Sequence, residues 1–199
     1  MNKRKLIFSV IICMVMVFQF CKDKPDQENV PEQKPVPLNI SQNSGTFNES
    51  FAKLLQTYFS LKDAFISADT VKVNSAAVLL IRHADSLNIN ELKGDSSGMI
   101  LETANYFASA ISGSAKTLTN EYQIQDKLRE FNMITDAMWG LTRRVKYEGQ
   151  KGYYQFCPLA FDNTGGYWLS DKIDPDNPYV RDKAKSCSQV NDSLDYGKR

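Results

Sequence analysis

The chain reads as an all-α protein, an antiparallel up-down four-helix bundle that ends in a short, irregular, β-like cap. Three observations lead to that reading. Four stretches between residues 47 and 148 each carry apolar residues three and four apart, one stripe per helix. Each stripe stops at a stretch rich in Gly, Ser or Asp. Beyond residue 152 the helical period is lost, and a Cys-Pro, a Gly-Gly, an Asp-Pro and an Asn-Pro punctuate the C-terminal segment.

In the first helix Phe47, Phe51, Leu54, Tyr58, Leu61 and Phe65 form the stripe. Asp69 is placed to cap the second helix, where Val73, Ala77, Leu80, Ala84 and Leu87 repeat the spacing. Residues 88–98, with Gly94 and Gly98, interrupt it. The third helix carries Leu101, Ala104, Ala108, Ile111 and Ala115, its end blurred by Gly113 and nearby serines. The fourth carries Ile124, Leu128, Phe131, Met138, Leu141 and Val145 and stops at residues 148–152. Helices with one apolar stripe each are stable only when the stripes meet, which makes residues 47–148 a bundle. Ala76, Ala77, Ala84, Ala104 and Ala108 allow close approach of the second and third helices.

Residues 149–188 form the cap. YYQFCPLAF is β-rich, DNTGG is a turn and YWLS is a second extended piece. The segment is too short for a core of its own, so it must lie on the bundle. Residues 189–199 are a polar tail expected to fray.

The N-terminal end has a different character. Lys3, Arg4 and Lys5 precede an apolar run over 6–20, about 15 residues against the roughly 20 that span a bilayer. Residues 1–20 therefore read as an export signal. Cys21 follows directly, and residues 21–46, with Pro25, Pro31, Pro35 and Pro37 among polar neighbours, read as a disordered tether. An apolar run ending at a cysteine resembles a bacterial lipoprotein leader, although Gln19 and Phe20 stand where small residues usually precede that cysteine. The resemblance implies an acylated Cys21 and a domain anchored through its lipid at the periplasmic face of a bacterial membrane.

Basic and acidic residues nearly balance, 24 against 23, which leaves no basic excess for nucleic acid. No hydrolase elbow, zinc-protease, phosphate-loop or dinucleotide motif occurs, and one histidine, His83, leaves no multi-histidine metal site. The chain accordingly reads as a non-enzyme. His83 falls at the flank of the second helix. Met99, Met133 and Met138 read as gap-filling core, Trp139 and Trp168 as core, with Trp168 pinning the cap to the bundle. Asp171, Asp174, Asp176 and Asn177 lack the spacing of a calcium loop and read as a solvated turn.

The cap carries a resemblance. Tyr153, Cys157, Pro158, Leu159 and Ala160, then Asn163, Gly165, Gly166, Trp168, Leu169 and Ser170, then Asn177, Pro178, Tyr179, Asp182 and Cys187 keep the order of a known pattern. The helical runs 58–69 and 131–141 fit it as well. From Phe47 to Cys187 the chain is similar to a family of bacterial periplasmic domains of unknown function. These occur as stand-alone lipoproteins and at the C-terminus of the adaptor (membrane-fusion) proteins of copper/silver-type heavy-metal efflux systems. The resemblance implies an accessory role in heavy-metal handling, an efflux adaptor as partner and a soft ion such as Cu(I) as ligand. Cysteine thiolate and methionine thioether are the ligands that select Cu(I). The family pattern has methionines where this chain has Leu159 and Ala184, so two thiols and no thioethers remain.

Cys157 and Cys187 are thus open to two readings that bring their sulfurs together, a disulfide or a pair of metal ligands, besides that of buried free thiols. Closing a loop of about 30 residues would contribute roughly 3–4 kcal/mol, useful to a cap without its own core. Both readings require the two sulfurs to be close.

Overall fold

A computed structural model describes residues 43–180 and 187–196. The expected leader, Cys21, nearly all of the tether, Arg181, Asp182 and Ala184 lie outside the described residues. Four long helices account for most of the described chain: α1 (Gly45–Ile66), α2 (Thr70–Asp85), α3 (Met99–Asn120) and α4 (Ile124–Val145). A single 3-10 turn, Ile89–Glu91, lies in the interruption between α2 and α3. Among the described residues no helix is long and apolar enough to cross a membrane.

The helix ends arise from local chemistry. Ser44 caps α1 by accepting from the Phe47 N–H (3.1 Å), and Asp69 caps α2 by accepting from the Lys72 N–H (3.0 Å). α1 therefore begins two residues before its apolar stripe, inside the stretch expected to be tether. α3 comes after Gly98, whose φ of 74° suits glycine, and its first turn is capped from further back: an Asp95 carboxylate oxygen accepts from the Leu101 N–H (2.8 Å). That bond holds the Asp95 carboxyl below its ordinary value. α4 ends at Lys146, in the left-handed region at φ 49°. Asn43 donates to the Val145 carbonyl at 2.7 Å, tying the start of α1 to the end of α4.

Every stripe residue of α1 and α2 is buried, as are Ala104, Ala108, Ile111 and Ala115 of α3 and Leu128, Phe131, Met138, Leu141 and Val145 of α4. Consecutive helices pack on one another, and α1 meets α4 through rings: Phe131 lies 5.4 Å from Tyr58 and 5.1 Å from Phe65, centroid to centroid. A Cβ at Gly140 would run into the Phe107 ring, so a glycine there lets α3 and α4 approach. Two methionines depart from expectation. Met99 is 60% and Met133 57% exposed, whereas Met138 is fully buried. Met99 opens α3 ahead of its stripe, and Met133, between Phe131 and Ile134 in sequence, falls on the solvent side of α4.

The chain is mostly helical rather than all-α. Strands β1 (Gly152–Cys157), β2 (Gly166–Ser170) and β3 (Gln189–Leu194) make an antiparallel sheet in the order β2-β1-β3. β3 occupies the tail expected to fray. Its residues are largely exposed on both faces, so no apolar alternation marks it; backbone pairing to β1 orders it instead.

Candidate functional site

The two cysteines are brought together by strand register. β1 pairs with β3 so that Phe156 opposes Gln189, which sets Cys187, two residues before Gln189, beside Cys157 at the end of β1. The Cα atoms are 5.1 Å apart, within disulfide range, and the sulfurs are bonded to each other. Cys157 is fully buried and Cys187 partly so.

Two buried amides hold the chain around this bond. Gln155, fully buried on β1, donates to the carbonyls of Lys172 (3.2 Å) and Ile173 (3.1 Å) and accepts from the Ser188 hydroxyl (2.9 Å). Asn177 donates to the Cys187 carbonyl (2.6 Å) and accepts from the N–H groups of Tyr179 (2.7 Å) and Val180 (3.1 Å). Asn177 is therefore a buried clamp, not part of a solvated turn; Asp171, Asp174 and Asp176 are exposed, as expected of one.

β2 is a sheet edge, and its free N–H groups would be unpaired without the bundle. Tyr167 and Leu169, two residues apart, present theirs to the same side. The Tyr167 N–H is accepted by Asn132 of α4 (2.8 Å) and the Leu169 N–H by the Tyr58 hydroxyl of α1 (2.9 Å). Tyr58 lies 2.7 Å from the Thr135 hydroxyl, whose own proton goes to the Phe131 carbonyl (3.0 Å). Tyr58 is thus the donor to Thr135, and one chain of hydrogen bonds runs from β2 through α1 into α4. Burial pushes the Tyr58 hydroxyl far above the ordinary tyrosine range and keeps it protonated. Tyr179 adds a further link by donating to the Tyr167 carbonyl.

On α4, Asn132, Asp136, Trp139 and Arg143 step by 4, 3 and 4 and form a second face turned to the sheet. Trp139 stacks on Tyr154 at 4.7 Å, and Tyr154 on Tyr167 at 4.8 Å, with planes within 4° and 8°. Tyr154 donates to an Asp136 carboxylate oxygen at 2.7 Å. Burial, and then the Asp136 carboxylate, raise the Tyr154 hydroxyl; desolvation raises Asp136, with the Tyr154 bond acting against it. Trp168 is fully buried beneath the sheet and Trp139 is buried in the stack, as expected.

His83 sits at the flank of α2, as expected. Its Nδ1 is 2.8 Å from the Thr57 hydroxyl, which already donates to the Lys53 carbonyl, so His83 donates through Nδ1. It borders a cavity of about 260 Å³ with Glu49, Ser50, Lys53 and Asn88. Among the described residues no group of three or more His, Cys, Asp or Glu side chains is arranged to hold a metal ion.

Fold and site together define a helical domain with a disulfide-stapled antiparallel cap. Residues 54–149 match a family described as a protein of unknown function (DUF3347). The chain is similar to that family from α1 to the end of α4, and the match stops just short of β1. No curated protein and no solved structure matches the chain.

Proposed function

We propose that this is an exported, non-enzymatic binding domain: an up-down helical bundle held by a lipid on Cys21 at the periplasmic face of a bacterial membrane. In this reading the cap on the bundle is a rigid surface for a protein partner. The observation that carries the reading is the disulfide between Cys157 and Cys187, buried at one end and braced by Asn177 and Gln155. A bond of this kind serves a cap that must keep its shape outside the cell, where oxidised cysteines persist. Leu159, Ile173 and Val190 give the cap exposed apolar groups for a partner. The resemblance to adaptor-fused domains makes a heavy-metal efflux adaptor the partner to test.

As bonded, the two sulfurs do not fit a soft metal, because neither is free to act as a thiolate. The second reading, Cu(I) held by Cys157 and Cys187, applies to the reduced protein. A Cα separation of 5.1 Å is compatible with two thiolates sharing one ion. Thiol titration and Cu(I) competition on the exported protein separate the two. The binding-domain reading expects no free thiol and no copper uptake without reductant, and copper no tighter for the wild type than for a C157S/C187S variant after mild reduction. Free thiols as exported, with stoichiometric Cu(I) lost in that variant, would overturn it.

A further inference from the structure

Lys127, on the first turns of α4, is 4% exposed. Its ammonium donates to the Leu118 carbonyl at the end of α3 (2.7 Å) and to the Asn74 side-chain oxygen on α2 (2.9 Å), two neutral acceptors. Among the described residues it has no carboxylate within ion-pair distance. A buried cation lacking a counter-ion is costly, and two neutral acceptors leave one of its three N–H groups unused. Burial accordingly lowers the Lys127 amine, with Glu121 acting in the opposite sense.

Lys127 lines an open cavity of about 380 Å³. Thr70, the hydroxyl-bearing first residue of α2 beside the capping Asp69 carboxylate, lines it, as does Asn74, whose amide nitrogen is left to donate because its oxygen serves Lys127. Tyr122, at the rim, is 95% exposed and presents a bare aromatic face beside this charge. Glu121 is the one acidic side chain of the lining. We propose that this cavity binds a small carboxylate carrying an apolar group, with Lys127, Asn74 and Thr70 as donors and the Tyr122 ring as platform. Glu121 opposes such a ligand and limits its affinity.

Benzoate is a direct probe, titrated into the isotope-labelled full chain at constant ionic strength against sodium chloride and followed by amide and Lys127 side-chain NMR shifts. The wild type should saturate, with shifts centred on residues 70–74 and 119–127. Lys127→Met removes the charge and keeps the length, but it also leaves the Leu118 carbonyl and the Asn74 oxygen without this donor, so its fold is checked by circular dichroism before binding is read. Binding should then fall at least about tenfold, in keeping with a lost hydrogen bond to a charged group. Glu121→Gln should tighten binding several-fold, since a like charge is removed. Opposite effects from two residues of one cavity are not expected of a merely structural lysine. Failure of benzoate to saturate the wild type, unchanged binding in Lys127→Met, or weaker binding in Glu121→Gln would each overturn the proposal.

Discussion

The bundle and the cap are held together by different physics. In the bundle, many apolar side chains share one core, and each helix contributes five to eight buried apolar side chains. The cap shares Tyr154, Trp168 and Leu169 with that core, and adds one sheet, one disulfide and a small set of hydrogen bonds made by individual side chains: Tyr58, Asn132, Gln155, Asn177 and Tyr179. A core of that first kind loses stability gradually as residues change, because its neighbours take up part of the loss. A cap of the second kind depends on particular atoms, since each buried donor left without an acceptor costs its full desolvation.

Phe131 tests where the two regions join, because its ring touches Tyr58 and Phe65 in the bundle and lies 6.0 Å from Tyr179 of the cap. Phe131→Ala should cost about 3–5 kcal/mol in denaturant unfolding and weaken both regions together. Bundle helicity and the fluorescence of Trp168, read in a Trp139→Phe background, losing their common transition in that variant would mean that Phe131 serves one region alone.

The next largest effect separates the regions. A Cys157→Ser/Cys187→Ser variant loses a cross-link spanning 30 residues and should lose about 3–4 kcal/mol from the cap, with α1–α4 retained by circular dichroism. Unchanged stability under oxidising conditions would remove the disulfide from the account.

Tyr58→Phe keeps the ring in the core and deletes only the hydroxyl, so it asks whether the cap depends on single atoms. It should cost about 1–3 kcal/mol, since the Leu169 N–H loses its acceptor, and near-neutral behaviour would count against the comparison.

The smallest effect is a pH dependence. Asp136 has its folded-state carboxyl raised, so its contribution is present below the ordinary aspartate value of about 3.9 and is lost as pH rises through the folded value. Asp136→Asn, which keeps an oxygen for the Tyr154 hydroxyl, should flatten that segment of a melting-temperature profile and melt no lower than wild type at neutral pH. A variant that parallels the wild type at every pH would show that Asp136 is not desolvated.

The same contrast explains what the sequence disclosed. The four helices, the Asp69 cap, the break over 88–98 and the extended pieces around Cys157 and Trp168 come from periodicity and turn chemistry, which are local. Proximity of Cys157 and Cys187 was expected as well, though not which of the two readings would hold. β3 escaped notice because an edge strand exposed on both faces has no apolar alternation, and its partner lies more than thirty residues earlier. Asn177 looked like turn punctuation, yet its amide is used by a backbone carbonyl ten residues on. The sheet-facing stripe of Asn132, Asp136, Trp139 and Arg143 was readable in principle, because its spacing is helical. Its mixed polar and aromatic character hid it beside the apolar stripe. Lys127 gave no signal, since a lysine early in a helix is ordinarily solvated and only the packing of α2, α3 and α4 buries it.

The central claim is that the cap sits on an apolar core that it shares with the bundle through Tyr154, Trp168 and Leu169, while the disulfide and a few polar contacts fix its own shape. Amide hydrogen exchange of the full chain, oxidised and then reduced, tests it most directly. Reduction should accelerate exchange across residues 152–157, 166–170 and 189–194 while the centres of α1–α4 keep their protection. Exchange that does not change on reduction, or that rises equally in helices and sheet, would contradict it.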